Sequence, residues 1–253
     1  MDTLNKVAII TGSSSGVGAE VAVQLAGLGA KVVINYANSR EGAEKTLARV
    51  REAGGEGICF QADVKDNAQC VALVAAAVSE FGQLDILVNN AGTTTHLDHK
   101  ALDLLSDDIW ETTLGTNLMG PFYMSRAAVP ELTKQGGGEI VMTSSIAGLT
   151  TNGSSIAYCA SKAALNSLTR TLAKSLGEHQ IRVNAVCPGL IDGSWASDGW
   201  GESWEDVKEF ARGITPLSVI ATPADVADSI ISIITGSDVM TGQLITLDGG
   251  FTI

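Results

Sequence analysis

Short apolar segments alternate with longer segments of helical periodicity along almost all of this 253-residue chain. Seven apolar segments have the length and composition of buried strands, at residues 7–10, 31–35, 57–61, 84–88, 139–143, 182–186 and 244–247. The six helical segments are residues 17–28, 41–53, 68–81, 107–132, 157–176 and 223–234. Near-continuous apolar strands separated by helices are typical of parallel sheets. The pattern therefore predicts an α/β fold, a doubly wound seven-stranded parallel sheet with helices on both faces.

The composition favours a single domain over two small ones. An apolar content of 45% suffices for one large core, and the chain contains only 5 prolines. No linker rich in serine and proline divides the sequence, and no solenoid-type repeat is present. We therefore expect residues 1–253 to form one domain.

Charge and cysteine content narrow the possible partners and location. The net charge is −12, and no cluster of Lys and Arg is available to neutralise nucleic-acid phosphates. No apolar run has the length needed to cross a bilayer, and residues 1–6 lack the features of a secretory signal. The 4 cysteines contain no Cys-x-x-Cys pair, which favours free thiols. We expect a cytoplasmic protein without nucleic-acid or membrane partners.

A glycine-rich loop follows the first predicted strand. Residues 11–18 read Thr-Gly-Ser-Ser-Ser-Gly-Val-Gly and lead directly into the first predicted helix. Glycines permit a tight turn, and the backbone N–H groups at a helix N-terminus bind phosphate. The Gly-x-x-x-Gly-x-Gly spacing differs from the usual dinucleotide fingerprint, and a Ser/Gly-rich loop without a ligand is the alternative. The expected contacts with a dinucleotide pyrophosphate are Gly12, Ser14, Ser15, Gly16, Val17 and Gly18.

The end of the second predicted strand indicates which dinucleotide binds. NAD sites usually place an acidic residue about 20 residues after the glycines, where it binds the ribose 2′-hydroxyl. This chain has Tyr36, Asn38, Ser39 and Arg40 there, with no acid before Glu41. A 2′-phosphate would not be repelled, and these residues can bind it through charge-assisted hydrogen bonds. The segment favours NADP(H) over NAD(H); the alternative is that Arg40 only begins a solvated helix.

Later strand ends supply the other expected cofactor contacts. An Asn-Asn-Ala-Gly segment ends the fourth strand, where short amides and a glycine let the backbone pass close to a cofactor. Ordinary turns without contacts are the alternative. The expected contacts are Asp63, Val64, Asn90, Ala91, Gly92, Pro188, Gly189 and Ile191. His96, Asp98 and His99 follow the fourth strand, but a metal site needs more ligands, so we expect a polar loop and no metal.

Tyr158 and Lys162 are four residues apart in a predicted helix with leucines at helical spacing. Residues i and i+4 share a helix face, with Cβ atoms roughly 5–6 Å apart. An ammonium close to a phenol favours the phenolate, so we expect Lys162 to lower the pKa of Tyr158 from about 10. Such a phenol is a general acid/base at neutral pH. Taken alone, this pair can also arise by chance.

Together the motifs resemble the classical short-chain dehydrogenase/reductase family. They are Thr11-Gly12-x-x-x-Gly16-x-Gly18, Asn89-Asn90-Ala91-Gly92, Ser145, Tyr158-x-x-x-Lys162 and Pro188-Gly189, in this order. The resemblance extends from residue 6 to residue 250. It implies a Rossmann-type domain, an NAD(P)-dependent oxidoreductase and a homotetramer. The catalytic residues that it implies are Asn117, Ser145, Tyr158 and Lys162.

Each of these residues has a chemical role in carbonyl reduction. Tyr158 delivers a proton to the carbonyl oxygen, and Ser145 donates a hydrogen bond to the same oxygen. The resemblance further implies that Lys162 holds the nicotinamide ribose and that Asn117 binds a water linking Lys162 to solvent. Ser145 is preferred to Ser144 because its spacing to Tyr158 matches the family. An ordinary exposed helical residue is the alternative for Asn117.

Residues 190–213 predict a lid over the substrate. A long glycine-punctuated loop with its own short helix is typical of lids. Its glycines and tryptophans are Gly193, Gly199, Gly201, Trp195, Trp200 and Trp204. The indoles favour an apolar or aromatic pocket, although they can equally anchor the loop to the core. The family commonly has Thr at the position of Gly193, and Ser194 is the hydroxyl able to replace it.

These observations favour an NADP(H)-dependent carbonyl reductase similar to 3-oxoacyl-[acyl-carrier-protein] reductases, acting on ketones, 3-oxoesters or 3-oxoacyl groups. The acidic lid counts against an acidic carrier protein as partner and against anionic substrates. An NAD-dependent alcohol or sugar dehydrogenase is the alternative enzyme, and the missing acid near Tyr36 counts against it. A dinucleotide-sensing binding protein is the alternative from another class, although a pure binder has no need of Ser145, Tyr158 and Lys162.

Overall fold

The computed structural model describes residues 1–253 and contains one seven-stranded parallel sheet. The strands are β1 (Val7–Ile10), β2 (Lys31–Tyr36), β3 (Glu56–Gln61), β4 (Ile86–Asn89), β5 (Gly138–Thr143), β6 (Ile181–Pro188) and β7 (Leu244–Leu247). Their order across the sheet is β3-β2-β1-β4-β5-β6-β7. The predicted fold is confirmed, and each predicted strand begins and ends within two residues of the corresponding observed strand.

Nine helices accompany the sheet. They are α1 (Gly16–Gly27), α2 (Arg40–Glu52), α3 (Asn67–Phe81), α4 (Asp107–Leu114), α5 (Gly120–Lys134), α6 (Ile156–Leu176), α7 (Ser194–Trp200), α8 (Trp204–Ile214) and α9 (Pro223–Thr235). α1, α2 and α9 cover one face, where Leu25 and Ile230 belong to a buried cluster. α3, α5 and α6 cover the other face, where Leu73 and Leu165 belong to a second cluster. The layers follow from strands that are apolar on both sides.

The central strand β1 illustrates this two-sided burial. Val7 and Ile9 pack in one cluster, whereas Ala8 and Ile10 pack in the other, because successive strand residues face opposite sides of the sheet. All four are at most 1% exposed. Burying such a side chain contributes roughly 1.5–3 kcal/mol, so this strand is a rigid base for the loop that follows it.

The predicted helix at residues 107–132 is interrupted, which corrects the sequence interpretation. A π-helical turn, Gly115–Met119, separates α4 from α5. Gly120, just after the turn, packs against Val64; a Cβ on this glycine would lie 2.8 Å from the Val64 Cγ2 atom. π-Turns inside helices frequently occur at functional sites, and this one carries Asn117. The helical periodicity continues through the turn, so the sequence pattern gave no sign of it.

The predicted lid contains more helix than expected. Two helices, α7 and α8, occupy it instead of one, and α8 continues to Ile214. Trp204 is 6% exposed and anchors the start of α8, whereas Trp195 and Trp200 are 51% and 43% exposed. Of the lid tryptophans, Trp204 therefore anchors the lid to the core, whereas Trp195 and Trp200 line the cavity described below.

The cysteines and helices show two further properties. Cys59, Cys70, Cys159 and Cys187 are all free thiols, as predicted. None of the helices combines the length and the hydropathy that crossing a bilayer requires.

Candidate active site

A cavity of about 1160 Å³ lies at the carboxyl ends of the strands. It opens where β1 lies between β2 and β4, the point at which the strand order reverses and where ligands of doubly wound sheets bind. The predicted cofactor residues all line this cavity except Gly18 and Arg40. Of the predicted catalytic residues, only Asn117 does not line it.

The loop after β1 is held against the end of β4. Gly12 has φ +61°, and a Cβ there would lie 2.8 Å from the Ala91 Cα atom. The Thr11 Oγ1 atom accepts hydrogen bonds from the N–H groups of Asn90 and Ala91, at 2.9 and 3.0 Å. Close approach and left-handed backbone together explain why glycine occupies this position.

The N-terminus of α1 is suited to an anion. Ser15 precedes the helix without making a side-chain cap, and the first turn contains no acidic residue. The first N–H groups of a helix have no intrahelical partner and carry the positive end of its dipole. Since Ser14, Ser15 and Gly16 line the cavity, these donors are available to a bound phosphate group.

Gly18 contributes to packing. A Cβ at this position would lie 2.6 Å from the Asn90 Nδ2 atom. That amide donates hydrogen bonds to the carbonyl oxygens of Thr11 and Gly12, both at 3.1 Å. The third glycine thus allows Asn90 to tie the loop to β4.

The end of β2 brings three of its four predicted cofactor residues to the cavity. Tyr36, Asn38 and Ser39 line it. The Arg40 side chain is 78% exposed and its Nε donates to the Glu44 carboxylate at 2.8 Å, one helical turn along α2. The structure therefore directs Arg40 away from the cavity.

The end of β3 places Asp63 and Val64 in the cavity wall. The Asp63 carboxylate accepts a hydrogen bond from the Lys65 N–H at 3.0 Å, and the Lys65 ammonium is 3.6 Å away. Val64 is 5% exposed and packs on the helix that begins at Gly120. Asp63 retains carboxylate lone pairs that can accept a hydrogen bond from a further donor, such as an adenine amino group.

Tyr158 and Lys162 lie together on α6, as their spacing predicted. The Lys162 Nζ atom is 5.6 Å from the centroid of the Tyr158 ring. It donates a hydrogen bond to the carbonyl oxygen of Thr143, at the end of β5, at 2.7 Å. Lys162 is 3% exposed, and burial lowers its pKa to about 8.

The expected direction of the Tyr158 pKa shift is wrong. Burial raises the pKa of Tyr158 to about 12, and the hydrogen bond with Ser145 opposes this rise only in part. The Lys162 ammonium lies over the ring and donates to Thr143, and its own charged form is disfavoured by burial. Loss of hydration of the phenolate therefore outweighs the neighbouring positive charge.

The two adjacent serines after β5 have different surroundings. The Ser145 Oγ accepts the Ala147 N–H at 3.1 Å and donates to the Pro188 carbonyl oxygen at 3.5 Å, and its interaction with the Tyr158 phenol lowers the pKa of that phenol. The Ser144 hydroxyl is buried and donates to the Asn166 Oδ1 atom at 2.6 Å. The Ser144 hydroxyl is thus engaged within the core, and the role of Ser145 at the reacting oxygen stays a prediction.

Asn117 is completely buried, so the alternative of an exposed helical residue is wrong. Its Nδ2 donates to the Thr93 carbonyl oxygen at 2.9 Å and to the Ser161 Oγ at 3.0 Å. Its Oδ1 accepts the Thr93 N–H at 2.8 Å. The Ser161 hydroxyl in turn donates to the Tyr158 carbonyl oxygen at 2.7 Å. Asn117 thus joins the loop after β4 to the helix that carries Tyr158.

The lid side of the cavity is mainly apolar. Its lining includes Leu190, Trp195, Val207, Phe210, Ile214, Val219 and Phe251. Gly193 and Ser194 also line it, at the start of α7. His96, whose pKa is lowered by burial, packs edge-on against Trp200 with ring centroids 5.6 Å apart. No three His, Cys, Asp or Glu side chains are grouped as metal ligands would be.

Several residues of the site had no role assigned from the sequence. Thr11, named only as part of the glycine motif, and Ser161 and Asn166 act through hydrogen bonds to distant parts of the chain. Asn35 is 1% exposed; its Oδ1 accepts the Gly12 N–H at 3.1 Å and its Nδ2 donates to the Ala62 carbonyl oxygen. An asparagine inside an otherwise apolar strand was the available signal, because a buried amide requires hydrogen-bond partners.

Comparisons with known proteins agree with this architecture. A family model described as "Enoyl-(Acyl carrier protein) reductase" matches residues 12–252. The "Crystal structure of a putative short-chain dehydrogenase/reductase from Burkholderia xenovorans" superposes with a TM-score of 0.90 and 36% identity, covering 97% of each chain. This chain belongs to the short-chain dehydrogenase/reductase family. The resemblance seen in its motifs is therefore confirmed.

Two relatives indicate the type of reaction in this short-chain dehydrogenase/reductase. The "Granaticin polyketide synthase putative ketoacyl reductase 2" of Streptomyces violaceoruber is 40% identical over 244 residues, covering 96% of this chain and 95% of the relative. The 3-oxoacyl-[acyl-carrier-protein] reductase FabG of Staphylococcus aureus is 34% identical over 248 residues, 98% of each chain. The chain is accordingly an oxidoreductase with relatives named for ketoacyl reduction.

Proposed function

We propose that this protein is an NADP(H)-dependent carbonyl reductase in which Tyr158 is the general acid, and the general base in the reverse direction. One observation carries the proposal. The Tyr158 phenol, the Ser145 hydroxyl and the buried Lys162 side chain meet at the wall of the same cavity that the glycine loop lines.

The residues of the cavity fit a dinucleotide. The α1 N-terminus lacks a side-chain cap, and at Gly16, its first residue, no atom lies within 4 Å of the position of a Cβ, so a pyrophosphate can approach backbone donors there. When bound, the nicotinamide supplies or accepts the hydride. The proposed cofactor-binding residues are Gly12, Ser14, Ser15, Gly16, Val17, Gly18, Tyr36, Asn38, Ser39, Arg40, Asp63, Val64, Asn90, Ala91, Gly92, Tyr158, Lys162, Pro188, Gly189 and Ile191.

The protein's own groups handle the proton. With its pKa raised by burial, Tyr158 stays protonated at neutral pH and can donate its proton to a carbonyl oxygen. Ser145 donates a hydrogen bond to that oxygen, which strengthens as negative charge develops. Lys162, with a pKa near 8, can exchange a proton at neutral pH and so reprotonate Tyr158. Asn117 positions α6 through Ser161, and its role in a water-mediated relay stays a prediction.

The preference for NADP(H) depends on Arg40 changing its partner. Ser39 and Asn38 already line the cavity, but Arg40 pairs with Glu44. An exposed ion pair of this kind contributes little, whereas hydrogen bonds from Arg to a phosphate dianion are strong. Release of Glu44 is therefore favourable when a 2′-phosphate is present. The observed position of Arg40 is also what favours the second candidate, an NAD-dependent alcohol or sugar dehydrogenase.

The substrate we propose is a small uncharged ketone or 3-oxoester. From residue 190 onward the cavity lining contains Asp206 and Asp248 but no Lys or Arg. Lys208, the nearby lid cation, pairs with Glu205 at 2.8 Å and lies 3.6 Å from Asp192. An anionic substrate would therefore find no counter-charge on this side.

The proposal extends to the whole protein. We propose that residues 1–253 form one dinucleotide-binding and catalytic domain, with a substrate lid at about 190–213. A homotetramer in the cytoplasm, without nucleic-acid or membrane partners, follows from the family resemblance and the composition.

The proposal is tested by following the oxidation of NADPH and of NADH separately with ketones, 3-oxoesters and an acetoacetyl thioester. Turnover that is faster with NADPH and lost in Tyr158→Phe supports the proposed reductase. Faster turnover with NADH overturns the cofactor preference. No turnover with any carbonyl, while the cofactor still binds, overturns the assignment as a carbonyl reductase.

A further inference from the structure

One lid side chain lies directly against the candidate catalytic phenol. The Trp195 and Tyr158 ring centroids are 6.2 Å apart, with an interplanar angle of 77°. Trp195 is the second residue of α7, whose N-cap is Gly193. Trp195 thus belongs to the first turn of α7, and this turn places the indole next to the Tyr158 ring.

The same indole reaches the opposite wall of the cavity. A Cβ at Gly92, in the loop after β4, would lie 3.8 Å from the Trp195 Cη2 atom. The indole thus spans the distance between α6 and the β4 loop, yet 51% of its surface remains exposed. Because Trp195 and Tyr158 line the same cavity with their rings in contact, a group attached to a carbonyl bound at the Tyr158 hydroxyl can reach this indole.

The other lid tryptophans have different contacts. Trp200 packs against His96, with ring centroids 5.6 Å apart, and Trp204 is buried at the start of α8 beneath the Lys208 side chain. Trp195 is therefore the lid tryptophan that borders the reacting group. Aromatic groups interact with an indole by stacking or edge-to-face contact, which saturated rings of equal size cannot match.

We propose that Trp195 is a specificity-determining residue, which selects ketones that carry a flat aryl group beside the carbonyl over ketones that carry a saturated ring. This inference rests on the proposed carbonyl reduction and names its substrate class. The selection comes from contact with the indole face or edge, so it affects substrate binding more than the chemical step.

A matched pair of ketones tests the proposal. Acetophenone and cyclohexyl methyl ketone have the same carbon skeleton and differ in the planarity of one ring. The measured quantity is the ratio of their kcat/KM values, in wild type and in Trp195→Ala. Comparing the two ratios cancels the intrinsic reactivity of the ketones. We expect the preference for acetophenone to fall by about three- to tenfold in Trp195→Ala, mainly through a higher KM for acetophenone.

Two further variants keep the test decisive. Trp195→Phe retains an aromatic ring and should keep most of the preference, whereas Trp195→Leu should lose it. Glu202→Ala, at an exposed lid residue that does not line the cavity, is the control, and its ratio should equal that of wild type. If Trp195→Ala no longer binds the cofactor, the comparison of Phe with Leu decides instead.

The outcomes separate this inference from the proposed function. Equal ratios in wild type, Trp195→Ala and Trp195→Leu overturn the role of Trp195, even if both ketones are reduced. Reduction of other carbonyls but of neither ketone overturns the substrate class while the proposed reductase stands. Absence of turnover with every carbonyl and either nicotinamide overturns the proposed function itself.

Discussion

The two sides of the cavity are built in different ways. On the cofactor side, Thr11, Asn35 and Asn90 tie the glycine loop to neighbouring strand ends through hydrogen bonds of 2.9 to 3.1 Å. On the lid side, apolar side chains form the wall, and Phe210 and Val219 are 68% and 52% exposed. The first region is cross-linked by polar groups, whereas the second depends on apolar surfaces that are only partly covered.

From this difference we infer that the cofactor side of the cavity determines the reaction, whereas the lid side determines the substrate. Segments with few buried contacts open at a lower free energy than core elements, so the lid can move while the cofactor side stays fixed. The residues proposed to transfer the proton lie on α6 and after β5, on the rigid side. The proposed selection among substrates belongs to the lid, where Trp195 borders Tyr158.

The largest expected contrast between the two sides concerns a lysine with a lowered pKa, Lys162, and a lysine held in ion pairs on the lid, Lys208. The pKa of Lys162 is about 8 in the folded protein, compared with an ordinary 10.5. Between these pH values the unfolded chain holds a proton that the folded chain has released. The free energy of unfolding of wild type relative to Lys162→Met should therefore rise with pH across this window, by up to about 3 kcal/mol. Urea unfolding of both proteins at several pH values measures this difference in the free energy of unfolding.

Lys208 on the lid provides the control for that measurement. Hydrogen bonding to Glu205 raises the pKa of Lys208, the opposite direction to Lys162. The free energy of unfolding of wild type relative to Lys208→Met should therefore not rise between pH 8 and pH 10.5. A flat profile for the Lys162→Met difference would contradict the buried position of Lys162.

Two glycine substitutions should have effects of opposite sign on the two sides. Gly12→Ala places an alanine in a left-handed backbone conformation and brings its Cβ to 2.8 Å from the Ala91 Cα atom. We expect a loss of roughly 2–3 kcal/mol in the free energy of unfolding, together with weaker cofactor binding.

Gly213→Ala, by contrast, adds a methyl group to α8 in open space, and a helical backbone accepts it. A gain of up to about 0.5–1 kcal/mol is expected. Denaturant unfolding and a cofactor titration measure both variants. A Gly12→Ala protein of unchanged stability and affinity would contradict the close packing of the loop against β4.

A further predicted effect concerns the choice of cofactor. Arg40→Ala should raise the KM for NADPH about tenfold and leave the KM for NADH nearly unchanged, because only NADPH carries the 2′-phosphate. Glu44→Gln frees Arg40 from its partner and should lower the KM for NADPH. Equal effects of Arg40→Ala on both nucleotides would show that this residue does not recognise the phosphate.

The sheet and the glycine loop could be predicted from sequence because their signals are local. Apolar runs such as Val7–Ile10 and the glycines that follow are contiguous, so periodicity and spacing were sufficient. The π-turn at Gly115–Met119 had no such signal, since the helical pattern continues through it. Asn117, within the turn, bonds to Thr93 and Ser161, which lie 24 and 44 residues away in the sequence, and a local pattern does not reveal such contacts.

The properties of the proposed catalytic residues were only partly predictable. The spacing of Tyr158 and Lys162 correctly placed both on one face of α6. The direction of the Tyr158 pKa shift depends on burial, which a sequence does not reveal, and so the expectation from charge alone was wrong. The Arg40–Glu44 pair, in contrast, was visible in the sequence as an i, i+4 pair that competes for the guanidinium.

The most direct test of the central claim is a comparison of wild type with Tyr158→Phe, each preloaded with NADPH and mixed with the best ketone in a single turnover. The rate of NADPH oxidation and the NADPH dissociation constant are measured on the same samples, with Cys159→Ser as the neighbouring control. We predict a loss of at least about 10²-fold in rate for Tyr158→Phe, with affinity and the control nearly unchanged. A Tyr158→Phe protein that oxidises NADPH at the wild-type rate would contradict the role of Tyr158 as the proton donor.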